Sequence, residues 1–139
     1  MIDFEQQAQE DLYARVATYL RQAFGDLAEP TDEDPAFIVE LGSVRLLVTV
    51  HANGPEKASI TVINRLGDGL PITSELATYL LHKSYQLPFG RLSLNDDDQI
   101  VFAEIVFGEG VTKENLSILL RIMASYSDEI EDELTMQFR

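Results

Sequence analysis

The chain has no cysteine, which removes disulfides, thiolate metal sites and cysteine nucleophiles together. That absence suits a reducing compartment, and the chain is expected to work in the cytosol. Tryptophan is also missing, and histidine occurs only at His51 and His82. Basic residues are scarce, ten against twenty-four acids, for a formal net charge of -14. Such a surface repels the phosphates of nucleic acid and the headgroups of anionic membranes, so neither is expected as a partner. No apolar run approaches the length of a membrane span, and no charged-then-apolar leader opens the chain.

What is present is a core. Hydrophobic residues make up 45% of the 139 positions, too many for an acidic disordered tail. The length suits one domain over residues 1–139, with no linker or repeat dividing it. Leu12, Val16, Tyr19, Leu20 and Ala23 recur at helical spacing and predict a helix over residues 3–24, stopped at Gly25. The period then falls to two. Runs beginning at Ala36, Val44 and Ala58 predict an antiparallel meander, with turns at Gly42 and at Asn53, Gly54 and Pro55. Thr73 caps a second helix that reaches about residue 85 and is closed by Pro88. Leu92 and Leu94 open a hairpin that turns at residues 95–99 and returns over 100–107. Thr112 starts the last helix, with Val111 placed to staple onto Leu116. The order is helix, three strands, helix, two strands, helix: an α+β sandwich of an antiparallel sheet and helices.

A sheet covered on one side alternates apolar and polar residues. The expected buried face is Val44, Leu46, Val48, Val50, Ala58, Ile60 and Val62, with Leu92 and Leu94 beside them. Ile38, Leu47, Ile63 and Phe102 are assigned to the opposite face. Together they form a candidate partner-binding patch, unless they stand singly or the second helix folds back over them. That helix is apolar on more than one side. Leu76, Tyr79, Leu80 and Tyr85 mark it as a candidate contact with a second copy of the chain or another partner.

The search for chemistry finds none. Neither histidine has metal or triad spacing, and each reads as a surface residue. Asp96, Asp97 and Asp98 lack the spaced ligands of a calcium loop and read as a turn. The glycine pairs at Gly67, Gly69 and at Gly108, Gly110 belong to no phosphate loop. Asp128, Glu129, Glu131, Asp132 and Glu133 place acids in the C-terminal half of a helix, against its dipole. They read either as a solvated face or as a docking surface for a basic client segment. No catalytic, cofactor-binding or metal-ligating residues are assigned.

Residues 80–94, with Leu87-Pro88-Phe89-Gly90 at their centre, resemble the YbjN-type family. So does the stretch from Val111-Thr112 to the acidic helix ending at Leu134. That family is related in fold to the class I chaperones of type III secretion. One departure stands in the motif, since Ser84 occupies a position where the family suggests Asn. The resemblance implies a frequently dimeric protein that holds a segment of a client chain, as a secretion chaperone or as an assembly factor such as one serving a microcompartment. The expectation is therefore a non-catalytic protein-binding module whose client segment is extended or basic. The alternative is a domain that senses a small ligand and has no client.

Overall fold

The computed structural model describes all residues, 1–139. Helix α1 (Gln7–Phe24) leads through a short 3-10 turn into strands β1 (Ala28–Pro30), β2 (Ala36–Leu41), β3 (Val44–Ala52) and β4 (Ala58–Leu66). Helix α2 (Ser74–Gln86), strands β5 (Arg91–Leu94) and β6 (Ile100–Phe107), a second 3-10 turn and helix α3 (Lys113–Phe138) follow. The strands form one antiparallel six-stranded sheet in the order β1-β2-β3-β4-β6-β5. The expected meander and hairpin are both present. Strand β1 was not expected: it is three residues long, ends in Pro30 and pairs only with β2. Proline is tolerated there because an edge strand does not need every amide.

Local chemistry sets the helix ends. The Thr73 hydroxyl accepts from the Leu76 amide at 3.2 Å, and the Thr112 hydroxyl accepts from the Asn115 amide at 3.0 Å. Helix α1 begins at Gln7, later than the spacing suggests, and its Gln6 N-cap makes no side-chain bond. Gln9 ties this end down instead. Its carbonyl accepts from the Glu5 amide, and its buried Nε2 donates to the Val50 carbonyl at 2.9 Å.

All three helices cover the same face of the sheet. Leu12, Val16 and Leu20 of α1, Leu76 and Leu80 of α2, and Leu116, Leu120, Met123, Ile130 and Leu134 of α3 share one core. The strands contribute Phe37, Val39, Leu46, Val48, Val50, Ile60, Val62, Leu92, Ile100 and Phe102 to it. Most of the expected inner face is therefore correct. Leu94 is the exception and is exposed near the end of the edge strand. Helix α2 does not fold back over the other face. It packs beside β5, where the Ser84 hydroxyl accepts from the Leu92 amide at 2.9 Å. Ser84, the departure noted in the motif, thus satisfies an amide of an edge strand.

The Leu87-Pro88-Phe89-Gly90 motif has a physical reason. Gly90 has φ +72°, and a Cβ there would lie 2.5 Å from the Phe102 ring. Its amide donates to the Glu104 carboxylate. Only glycine lets the chain turn this tightly over a buried aromatic ring.

Candidate functional site: an open sheet face

The register brings the outward-facing residues into rows. Ile38 pairs with Leu47, Leu47 with Ile63, Ile63 with Ala103, and Ala103 with Arg91. The neighbouring row runs from Ala36 through Thr49 and Thr61 to Ile105. Phe107 stands opposite Ser59 at the end of β4. None of the residues in these rows belongs to the core cluster beneath the helices. Leu47 is 37% exposed, Ile105 46% and Phe107 69%, while Ile38 and Ile63 are half-buried between their neighbours. The result is an apolar band across an uncovered face, the usual mark of a contact surface.

Phe102 does not belong to this band. It pairs with Asn64 and Leu92 on the helix-covered face and is 0% exposed. The sequence misleads here because β6 is apolar at both parities and its one acid, Glu104, faces inward with Phe102. Glu104 tolerates that position through its bond to the Gly90 amide. The residues missed are Ile105 and Phe107, which the register of β4 against β6 turns outward. A polar residue on the inner face reverses any reading from alternation alone.

The candidate helix residues divide in the same way. Leu76 and Leu80 are core residues of their own chain and offer nothing to a partner. Tyr79 packs edge-on against Phe138, with ring centroids 5.5 Å apart. Burial, and then the neighbouring Glu133 carboxylate, push its hydroxyl pKa up to about 12. Lys83 and Glu133 close the same seam between α2 and α3 at 2.8 Å. Tyr85 alone of the set stands free, 91% exposed, with Leu81 exposed one turn before it.

A second apolar feature lies on the helix side. A groove of about 280 Å³ opens between α3 and the α2–β5 connection, lined by Ile60, Phe89, Val106, Val111, Leu116, Ile118, Leu119 and Ile122. Asn115 is its one polar side chain.

The acidic run of α3 is largely engaged within the chain. Asp128 accepts from the Ser43 hydroxyl, Glu131 from the Gly67 amide and from Arg139, and Glu133 pairs with Lys83. At the β5–β6 tip the Asn95 side chain accepts from the amides of Asp97 and Gln99, so this segment is a side-chain-closed turn. His51 and His82 are both exposed. No group of three or more His, Asp or Glu side chains is placed to hold a metal ion. No helix is long and apolar enough to cross a membrane.

An antiparallel sheet with helices on one face and an apolar band on the other defines a class of small α+β proteins with a surface free for contact. Comparison with protein families narrows the class. Residues 10–139 match the family described as T3SS (YopN, CesT) and YbjN peptide-binding chaperone 1, and the chain belongs to that family. The match covers the motif at residues 80–94 and extends through the first helix and the meander. A search of curated proteins finds no match to the chain.

Proposed function

We propose that this peptide-binding chaperone holds an extended segment of a client protein on its open sheet face, in the cytosol and without catalysis. The observation that carries the reading is the uncovered band of Ile38, Leu47, Ile63, Ile105 and Phe107. An exposed, laterally continuous apolar surface on a rigid sheet suits an extended chain whose alternate side chains point down. Family membership supports the class of partner, and the -14 net charge supports a role that keeps a sticky surface soluble. Affinity purification from the native cell tests it. A stoichiometric client is expected, and it should be lost from Leu47→Asp or Ile105→Asp protein whose melting temperature is unchanged. Retention of the client by both variants would move the site elsewhere.

Self-association through α2 accompanies this reading, because Leu81 and Tyr85 leave an apolar strip beside the β5 edge. Light scattering checks it. A mass near twice 15.6 kDa that falls to one chain on Tyr85→Asp is expected.

The apolar groove beside α3 favours a second reading, a sensor of a small apolar ligand. A ligand that binds only the folded chain raises its melting temperature, so a metabolite panel read by thermal shift separates the two.

A further inference from the structure

We infer that the client segment carries a lysine or arginine whose side chain seats in an acidic cleft at one end of the open face. This rests on reading that face as the client surface. The cleft has a volume of about 320 Å³. Ala36, Leu47 and Thr49 of the open-face rows line it, together with His51, Glu5 and Asp34. No lysine or arginine does. Leu47 belongs both to the apolar band and to the cleft wall, so the two are continuous. In an extended segment, alternate side chains point the same way about 7 Å apart. An apolar side chain over the band thus has its neighbour but one within reach of the cleft.

The two carboxylates are unpaired, while their backbones are fixed. Neither Glu5 nor Asp34 has a cation within 4.0 Å. The Glu5 amide donates to Gln9 Oε1 at 2.8 Å, and the Asp34 carbonyl accepts from the Thr31 hydroxyl at 2.7 Å. The Thr31 amide donates to the Ala36 carbonyl at 3.0 Å and the Val50 amide to the Pro35 carbonyl at 2.8 Å, which closes the β1–β2 loop onto the sheet. Carboxylates held beside an apolar wall with no counter-ion select a cation. A long basic side chain suits both parts, since its methylenes lie on Leu47 while its head reaches the acids. The surroundings reinforce the sign. From residue 22 to residue 44 the chain carries Asp26, Glu29, Asp32, Glu33, Asp34 and Glu40 but no lysine, arginine or histidine. Of these acids only Glu40 has a basic partner, Arg45 at 3.9 Å. The cleft at the other end of β3 differs. There Arg45 and Arg65 are mixed with Asp68, Asp97 and Asp98, so that end selects neither sign.

Calorimetric titration of the full chain with three end-capped synthetic peptides tests this. All carry the same leucines and isoleucines alternating with serines. The two terminal residues fall on the apolar side and are lysine, serine or glutamate. At ~0.1 M salt the lysine peptide should bind about threefold to fivefold more tightly than the serine peptide, and the glutamate peptide no more tightly than serine. The preference should collapse near ~1 M salt, where the screening length is short. A chain of net charge -14 attracts any cation diffusely, so the decisive variant is Glu5→Gln combined with Asp34→Asn. Both side chains are exposed and unpaired, so its melting temperature should be unchanged. It should bind the lysine and serine peptides alike and keep the parent affinity for serine. Asp32→Asn combined with Glu33→Gln, which alters acids outside the cleft, should leave the preference intact. A lysine peptide no tighter than serine, or a lysine preference that survives loss of Glu5 and Asp34, would overturn the cleft assignment and leave the client surface standing. So would an equal loss of preference from the Asp32 and Glu33 pair. Binding of none of the three peptides would overturn both.

Discussion

The two faces of the sheet are built from alternate residues of the same strands, yet they obey different constraints. On the covered face Leu46, Val48, Val50, Ile60, Val62 and Phe102 are fully enclosed by three helices. On the open face Ile38, Leu47, Ile63 and Ile105 keep the residue types that suit a strand but lie outside the core cluster, Leu47 and Ile105 exposed and Ile38 and Ile63 half-buried. Burial explains the first set completely. For the second, strand propensity accounts for β-branched residues at single positions but not for their continuity across four adjacent strands. Continuity is what a partner needs.

Substitutions sharpen this contrast, and the largest difference is expected within one strand. Phe102→Ala should cost about 3–5 kcal/mol, because a fully enclosed ring leaves a cavity. Ile105→Ser, three residues on and facing outward, should stay within about 1 kcal/mol. Urea unfolding of the two variants reads the difference directly. Equal losses would mean that the open face is covered after all.

Gly90→Ala comes next. The added methyl meets the Phe102 ring and must adopt φ +72°, so roughly 1–3 kcal/mol is expected from strain and displacement of the ring. Gly54→Ala is the control. It is also at positive φ but has nothing within 4 Å, so it should cost less.

A smaller effect belongs to the seam between α2 and α3. Tyr79 is held protonated in the folded chain, with its pKa raised from 10.0 to about 12. A raised pKa means that the folded state binds the proton more tightly. The stabilisation is therefore complete below pH 10 and is lost as pH rises toward about 12. Tyr79→Phe should flatten the fall in melting temperature over that window. An unchanged alkaline limb would show that the hydroxyl is solvated.

The smallest effect lies outside both faces. Lys57 and Glu109 pair at 2.6 Å on the surface, each holding the other in its charged form. Glu109→Gln should leave the melting temperature nearly unchanged at physiological salt, because exposed pairs are screened.

Much of this architecture was legible in the residues. Helical spacing from Leu12 to Leu20 and from Leu116 to Leu134 located α1 and α3, and threonine caps located the starts of α2 and α3. Period-two alternation placed β3 and β4 in the right orientation, so Leu47 and Ile63 were assigned to the correct face. Strand β6 defeated the same reasoning, since neither of its faces is polar and its one acid points inward to a backbone amide. Leu76 and Leu80 failed for a different reason. The breadth of an apolar stripe says that a helix is buried on several sides, and only the packing against α3 and β5 shows which sides the chain itself covers.

The claim that the open face is the working surface is tested most directly by methyl-labelled NMR of the full chain titrated with a synthetic peptide in which leucines and isoleucines alternate with serines. Shifts confined to the methyl groups of Ile38, Leu47, Ile63 and Ile105, with Ile60, Leu46 and Val48 silent, are the expected result. Shifts centred on Ile118, Ile122 and Leu116 would contradict it and put the bound segment in the groove beside α3.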